Sequence, residues 1–308
     1  MHKAKGVALL LVLAIVAVAS VLASSWLARQ QQHIQRSASL AFTDQALRYA
    51  LAAEGWAQVL LEDDFDPQTR IDSLAEPWAT PLPYFNVEGG AMRASLSDAQ
   101  ASLNVNNLLA GGKLASVYQK RIDRLLQQQE ADAGVLDALI DWLDADTETT
   151  GFGGAEDDYY SRLQPPYRAA NQALGHISEL RLLRGMQDTL YRGLLPALTA
   201  LPESVPLNLN TAPREVLLTL GLNESQVEQA LLERSSRAFQ DVDDFVSRVN
   251  LLADDVDRTG LAVGSDFFWL EVSLLIGDQG YAQQTLLQRD SSGKVRVLQR
   301  RRVAESVM

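Results

Sequence analysis

The sequence predicts an α+β protein: one very long N-terminal helix packed on an antiparallel sheet, with a large all-α segment inserted into that sheet. Three observations predict this. Residues 7–62 contain no proline and favour helix. Strand-like segments fall into two groups, around 84–105 and 267–302, separated by a long stretch of helical periodicity. Strands on either side of such a block need partners, so a helical insertion within one sheet is the simplest topology.

The helix begins as an apolar segment. After Met1-His2-Lys3-Ala4-Lys5-Gly6, residues Val7 to Leu27 carry no charge, and only Ser20, Ser24 and Ser25 interrupt the apolar run. At about 1.5 Å per residue this spans roughly the 30 Å hydrocarbon layer. The preceding lysines favour a cytoplasmic N-terminus, which sends the remainder outward. A cleavable signal peptide with small residues at Ala19 or Ala23 is the competing reading. Its apolar core is ordinarily shorter, however, and here helix-favouring sequence continues unbroken to Glu62, with glycine only at Gly55. Leu40, Leu47 and Leu51, with Ala50, Ala53, Trp56 and Leu60, recur at helical spacing and predict one helix of roughly fifty-five residues, about 80 Å long, with its first half in lipid and its second on a soluble domain.

Asp63-Asp64-Phe65-Asp66-Pro67 ends the helix, and prolines at 77, 81 and 83 follow. Tyr84–Val87, Ala91–Ser97 and Ala101–Val105 read as strands, as do Phe267–Ile276, Tyr281–Arg289 and Val295–Arg302. Gly89-Gly90, Gly277–Gly280 and Asp290–Gly293 supply turns. Between the groups, Val117–Gln129, Gly134–Leu143, Ser178–Arg184, Gln187–Leu195, Pro213–Leu220, Glu224–Arg234 and Val242–Arg248 are candidate helices.

Composition narrows function. The net charge is −12 over 308 residues, which argues against nucleic acid, whose phosphates demand a basic face. Without cysteine there is no disulfide framework and no thiolate metal site. His2, His33 and His176 lie far apart, and no nucleophile motif or phosphate-binding glycine loop occurs, so no enzyme is expected.

One segment suggests a ligand. Between Leu125 and Ser161 there are ten acidic residues and no lysine or arginine. Asp141-Trp142-Leu143-Asp144-Ala145-Asp146 and Glu156-Asp157-Asp158-Tyr159-Tyr160 flank Gly151-Phe152-Gly153-Gly154, whose glycines allow the chain to fold back. Crowded carboxylates repel, and a hard divalent cation with six to eight oxygen ligands relieves the repulsion. A solvated acidic loop is the plainer alternative, although Trp142, Tyr159 and Tyr160 suggest packing. The spacing is not that of an EF-hand, because Thr149 occupies the sixth position from Asp144 and Glu156 falls one place late.

The short basic leader ending in Gly6, followed by an apolar helix that runs into a soluble domain, resembles the type IV pilins and the type II secretion pseudopilins. That resemblance implies a prepilin peptidase cut after Gly6, leaving Val7 as a methylated N-terminus. Most pilins carry glutamate at the fifth mature position; here it is Leu11. The minor pseudopilin K family commonly lacks that glutamate and carries a large inserted α-domain, so the departure sharpens the match. The resemblance divides the chain into a leader (1–6), a transmembrane and assembly helix (7–27), a pilin-like domain (28–110 and 266–308) and an inserted helical domain (111–265). It implies a single-pass inner-membrane protein with its bulk in the periplasm, at the tip of the pseudopilus, initiating or capping assembly with minor pseudopilins I and J for export of folded proteins. It also makes the acidic loop a structural calcium site, with Asp144, Asp146, Glu156 and Asp158 as first-choice ligands and Asp141 and Asp157 next. A membrane-tethered periplasmic ligand-binding protein or enzyme is the alternative.

Leu207-Asn208-Leu209-Asn210-Thr211-Ala212-Pro213 opens a unit resembling helix-hairpin-helix or SAM-like modules. With no basic residue from Glu215 to Ala230, it reads as packing rather than DNA contact. Leu103-Asn104-Val105-Asn106-Asn107 echoes it, an echo too short to establish a repeat.

Overall fold

The computed structural model describes residues 3–252 and 255–303. It opens with α1 (Lys3–Asp64), a single helix of 62 residues that holds Gly6 and Val7 in its first turns. That length is about 90 Å. Described apolar side chains from Leu9 to Leu40 are exposed, Leu11 at 58% and Leu40 at 72%. This stretch is long and apolar enough to cross a membrane.

Further along, Ala46, Ala50, Ala53, Ala57 and Leu61 form a fully covered stripe. The buried stripe is alanine, whereas Leu40, Leu47 and Leu51 point away from the sheet. Small side chains let the helix axis lie close to the strands, and the larger leucines cannot occupy that space.

After α1 come β1 (Phe85–Val87) and β2 (Gly90–Asp98), and the chain then leaves the sheet. A first helical unit follows: β3 (Leu103–Asn104), α2 (Gly112–Gln128), α3 (Gly134–Leu143), the single turn α4 (Asp157–Tyr160), α5 (Asp188–Leu194) and β4 (Leu198–Thr199). A second unit runs through β5 (Leu207–Asn208), α6 (Arg214–Thr219), α7 (Glu224–Ser236), α8 (Val242–Arg248) and β6 (Leu261–Ala262). The chain then returns as β7 (Phe267–Ile276), β8 (Gln279–Arg289) and β9 (Val295–Arg302).

The main sheet is antiparallel throughout, in the order β1-β2-β7-β8-β9. Asp98 is paired with Phe268, so the helical insertion leaves and re-enters from neighbouring strands at one end of the sheet. Alternation sorts the faces. Met92, Ala94, Leu96, Leu270, Val272, Leu274 and Leu287 pack on the alanine stripe. On the opposite face Phe267 and Leu286 meet Ala99, Leu201 and Val205 from the insertion.

The sheet has five strands where the sequence suggested six. The expected strand at Ala101–Val105 lies instead in the helical insertion, where Leu103 and Val105 are fully buried in its core. Leu103-Asn104 pairs in parallel with Leu198-Thr199. The apolar–polar alternation there reflects buried asparagines rather than a half-solvated strand. Asn106 donates to the carbonyls of Leu174 and Leu201 at 3.0 and 2.9 Å and accepts from the Leu174 amide.

The second unit repeats this plan. Leu207-Asn208 pairs in parallel with Leu261-Ala262, and Asn210 bonds the backbones of Phe239 and Val263. In each unit the first asparagine also accepts from the amide two residues on, a turn geometry typical of this side chain. The short sequence echo therefore marks two units of the same design, each closed by pairing its first strand with its last.

Where the insertion joins the sheet, the contacts are polar and buried. Asp98 accepts from Ser265 Oγ (2.7 Å), Thr211 Oγ1 (2.5 Å), Asn208 Nδ2 (2.9 Å) and the Gln100 amide (2.7 Å). Burial still pushes its pKa up to about 6. Beside it Arg289 grips Asp72 through two contacts of 2.5 and 2.7 Å, both side chains being almost completely buried. Arg289 also donates to the carbonyls of Leu61 and Ser265 and lies between the rings of Phe65 and Phe268.

Removing one partner of such a pair leaves an uncompensated buried charge. Arg289→Leu is expected to cost about 3–5 kcal/mol, read by urea unfolding of the intact chain in micelles. The double change Arg289→Leu with Asp72→Leu should recover most of that loss. An equal loss in both would place the energy outside the pair.

Candidate metal centre

The acidic segment is built on α3, whose buried face includes Val135, Ala138, Leu139, Asp141, Trp142 and Leu143. Asp144 leaves helical geometry at the C-cap (φ −71°, ψ 167°), which turns the next carboxylates out of the helix. Asp146 then accepts from the Glu148 amide at 2.8 Å, a local turn. The chain comes back through Gly151, whose φ of +56° suits glycine, and Gly153, whose backbone lies directly against that of Gly134. A Cβ on Gly154 would collide with Asp141 Oδ2. Glu156 occupies the N-cap position of α4 without a side-chain capping hydrogen bond and is 3% exposed.

The floor of the loop is aromatic. Trp142 meets Tyr160 edge-on at 5.1 Å, and Tyr160 stacks on Tyr167 at 5.2 Å. Arg184 donates to the Gly154 carbonyl at 3.0 Å, with its guanidinium over Tyr159.

Carboxylate oxygens of Asp144, Asp146 and Glu156 all lie within 4.8 Å of one another. Oxygens bound to calcium at about 2.4 Å can be no more than about 4.8 Å apart. Asp141 is fully buried behind them; its Oδ1 accepts from the Thr150 amide at 2.9 Å. Asp157 is otherwise engaged, accepting from the Ala169 amide at 3.1 Å and facing Arg168 at 3.7 Å. Asp158 is exposed. Neither Asp157 nor Asp158 belongs to the converging trio.

Four buried carboxylate oxygens here have no hydrogen-bond partner among the described residues: Asp141 Oδ2, Asp144 Oδ1 and both oxygens of Glu156. Native structures rarely leave such atoms unsatisfied. Burial, then the charges of Asp141, Asp144 and Asp146, push the Glu156 pKa up to about 7. Burial and the charges of Asp146 and Asp141 also raise Asp144. All-oxygen donors, mutual repulsion and orphaned buried oxygens fit a hard divalent cation such as calcium.

Sequence reasoning missed Asn171. Its Nδ2 donates to the Asp146 carbonyl at 2.8 Å, and its Oδ1 is buried without a partner. No local pattern signals it, because it reaches the loop only through the chain's return 25 residues later. A second acidic trio, Asp64, Asp72 and Glu76, differs in being supplied with donors: Arg289 on Asp72, Trp78 and Ser73 on Glu76.

A long N-terminal helix laid on an antiparallel sheet, with an inserted helical domain that carries an acidic loop, defines a pilin-like subunit with an extra domain. The chain belongs to the type II secretion system protein K family. Family descriptions of that protein match residues 101–203 and 207–264, which coincide with the two helical units. Protein K of Pseudomonas aeruginosa is 36% identical, with 96% of this chain and 92% of that protein covered. Protein K of Klebsiella pneumoniae is 33% identical over 94% and 93%. The GspK-GspI-GspJ complex from enterotoxigenic Escherichia coli contains a chain that superposes with a TM-score of 0.78 at 28% identity, covering 88% of this chain and all of that one. The chain is accordingly a minor pseudopilin of type II secretion, and its relatives are named as secretion components rather than enzymes.

The Glu156 shift has a definite sign. Its folded pKa lies above its unfolded value, so protonation favours the folded loop as pH falls from about 7 towards 4.5, and that contribution is lost as pH rises through 7. In chelator, wild type should lose stability between pH 5.5 and 8 relative to Glu156→Gln, as measured by thermal unfolding. Asp98 and Asp64 shift the same way but are common to both proteins and cancel.

Proposed function

We propose that this minor pseudopilin occupies the tip of a periplasmic pseudopilus, where it initiates or caps assembly together with minor pseudopilins I and J. The observation that carries the reading is the position of the inserted domain. It joins the sheet at the Asp98–Phe268 end, where Arg289 also bonds the Leu61 carbonyl near the C-terminal end of α1. The bulk therefore lies at the pole farthest from the apolar half of the helix and obstructs addition of a further subunit above it.

Leu11 supports the same reading. A carboxylate in hydrocarbon is tolerated when a neighbour pairs with it, and a subunit with no neighbour above can dispense with one. The relative of known structure assembles with GspI and GspJ, which makes the equivalent subunits the natural partners here. Processing after Gly6 would leave Val7 as the mature N-terminus, held in the inner membrane with the rest in the periplasm. Asp144, Asp146 and Glu156, with Asp141 behind them, would hold a structural calcium ion that neutralises the loop and orders it; no chemistry on a substrate is required of it.

Intact mass of the protein recovered from membranes should correspond to a chain starting at Val7, with or without one methyl group. A start after Ala19 or Ala23 would remove the anchor and sink the pseudopilin assembly role. Mixing with purified minor pseudopilins I and J should give a defined complex by light scattering, and its absence would overturn the tip assignment.

A further inference from the structure

We infer that Arg29 and Arg36, on one face of α1 just beyond its apolar span, bind the phosphates of anionic phospholipids in the leaflet nearest the folded domain. The inference rests on the reading of that span as a membrane anchor. The apolar run ends at Leu27, and every residue from 21 to 40 is exposed. No part of the folded domain covers this stretch, so its partner comes from outside the subunit.

Helical spacing gathers the side chains. Trp26, Arg29, His33 and Arg36 stand at i, i+3, i+7 and i+10 of one continuous helix, which places them within about 80° of one another around the axis. Trp26 is 67% exposed at the end of the span, the depth at which indole rings settle between hydrocarbon and water.

Depth decides what the arginines meet. The Cα atoms of Arg29 and Arg36 lie about 3 and 14 Å past Leu27 along the axis, and headgroups occupy roughly 5–8 Å beyond the hydrocarbon. Side chains on a helix lean towards its N-terminus, which here is the bilayer. Arg29 therefore reaches back into the headgroups. Arg36 comes down by about one turn, to within a Debye length of the phosphates, and a tilt towards this face brings it closer.

The charge pattern selects an anion. All 39 acidic residues of the chain lie from Asp44 onward, and the net charge is −12. Among the described residues no carboxylate pairs with Arg29 or Arg36, and the first ion pair along α1, Arg48 with Asp44, lies beyond them. An acidic body held beside an anionic surface is repelled, and a basic collar between the two offsets that repulsion where the field is strongest. The guanidinium fork matches phosphate oxygens. A bilayer presents those oxygens at this depth all around the helix, so the contact requires no second protein.

Trp26 supplies the reporter, being the one of five tryptophans that lies within the apolar span. The test reconstitutes the full chain in vesicles of phosphatidylcholine and phosphatidylglycerol, with one or the other lipid brominated in its acyl chains. Quenching of Trp26 fluorescence then reads which lipid sits against that face. Phosphatidylglycerol should be preferred about tenfold, and added salt should weaken the preference. Arg29→Gln with Arg36→Gln should abolish it without changing thermal unfolding, whereas Arg29→Lys with Arg36→Lys should retain most of it. An equal choice of lipid by the wild type, or a preference that survives the glutamine changes, overturns the inference while the anchor stands. Absence of quenching by either brominated lipid sinks the anchor and the inference together. Loss of binding to purified minor pseudopilins I and J in the glutamine variant, with no lipid preference in the wild type, assigns the face to a protein contact and overturns the lipid one.

Discussion

Everything at the junction depends on one buried cation. Arg289 is reached by the helix through the Leu61 carbonyl, by the segment after the helix through Asp72, and by the returning chain through the Ser265 carbonyl. Asp98 extends the joint into the second helical unit through Asn208 and Thr211. Apolar residues of the same volume could hold these parts with equal free energy. They would not fix direction, because apolar contacts tolerate sliding and bidentate charge-assisted hydrogen bonds do not. The insertion is attached through neighbouring strands, so its orientation depends on such directional contacts.

A second buried carboxylate does comparable work between helix and sheet. Glu54, 3% exposed, receives Arg300 at 2.8 Å together with Gln283 and Thr285. The arginines of β9 look from sequence like a solvated, pairing-resistant edge. Arg300 instead fastens the last strand to α1, while Arg296 reaches Gln288 and Arg301 reaches Ser178 of the insertion. In both joints a charge that would be expensive alone is matched by donors from elements distant in sequence.

Local order was readable where one residue type repeats along one element. The long helix, the hairpins at Gly89-Gly90 and Asp290–Gly293, and α3 and α8 within a residue all follow from periodicity and turn chemistry. Ala101–Val105 misled because alternation cannot distinguish a solvated polar side chain from a buried asparagine bonded to a remote carbonyl. In the acidic loop, carboxylate density and the glycines are legible, whereas the choice of Asp144, Asp146, Glu156 and Asp158 as first ligands comes with the family resemblance. Which acids converge is decided by the C-cap at Asp144 and the return through Gly153, which leave Asp158 exposed and give Asp157 to the Ala169 amide. Asn171 depends on tertiary return alone.

The two helical units show what the loop lacks. In the second, Glu233 and Asp244 meet Arg248 at 3.0 and 3.4 Å, and that guanidinium also lies over Phe239. The chain thus supplies its own cation to acids brought together by α7 and α8. In the first unit Arg184 is spent on the Gly154 carbonyl and the Tyr159 ring, and among the described residues no guanidinium pairs with Asp141, Asp144 or Glu156. A protein-borne cation makes order permanent, whereas a diffusible one makes it conditional on ion concentration and on the protonation of Glu156. On the proposed reading, this converts one of two similar units into a loop whose order the surroundings can set, without disturbing the joint at Arg289 on which the rest of the fold relies.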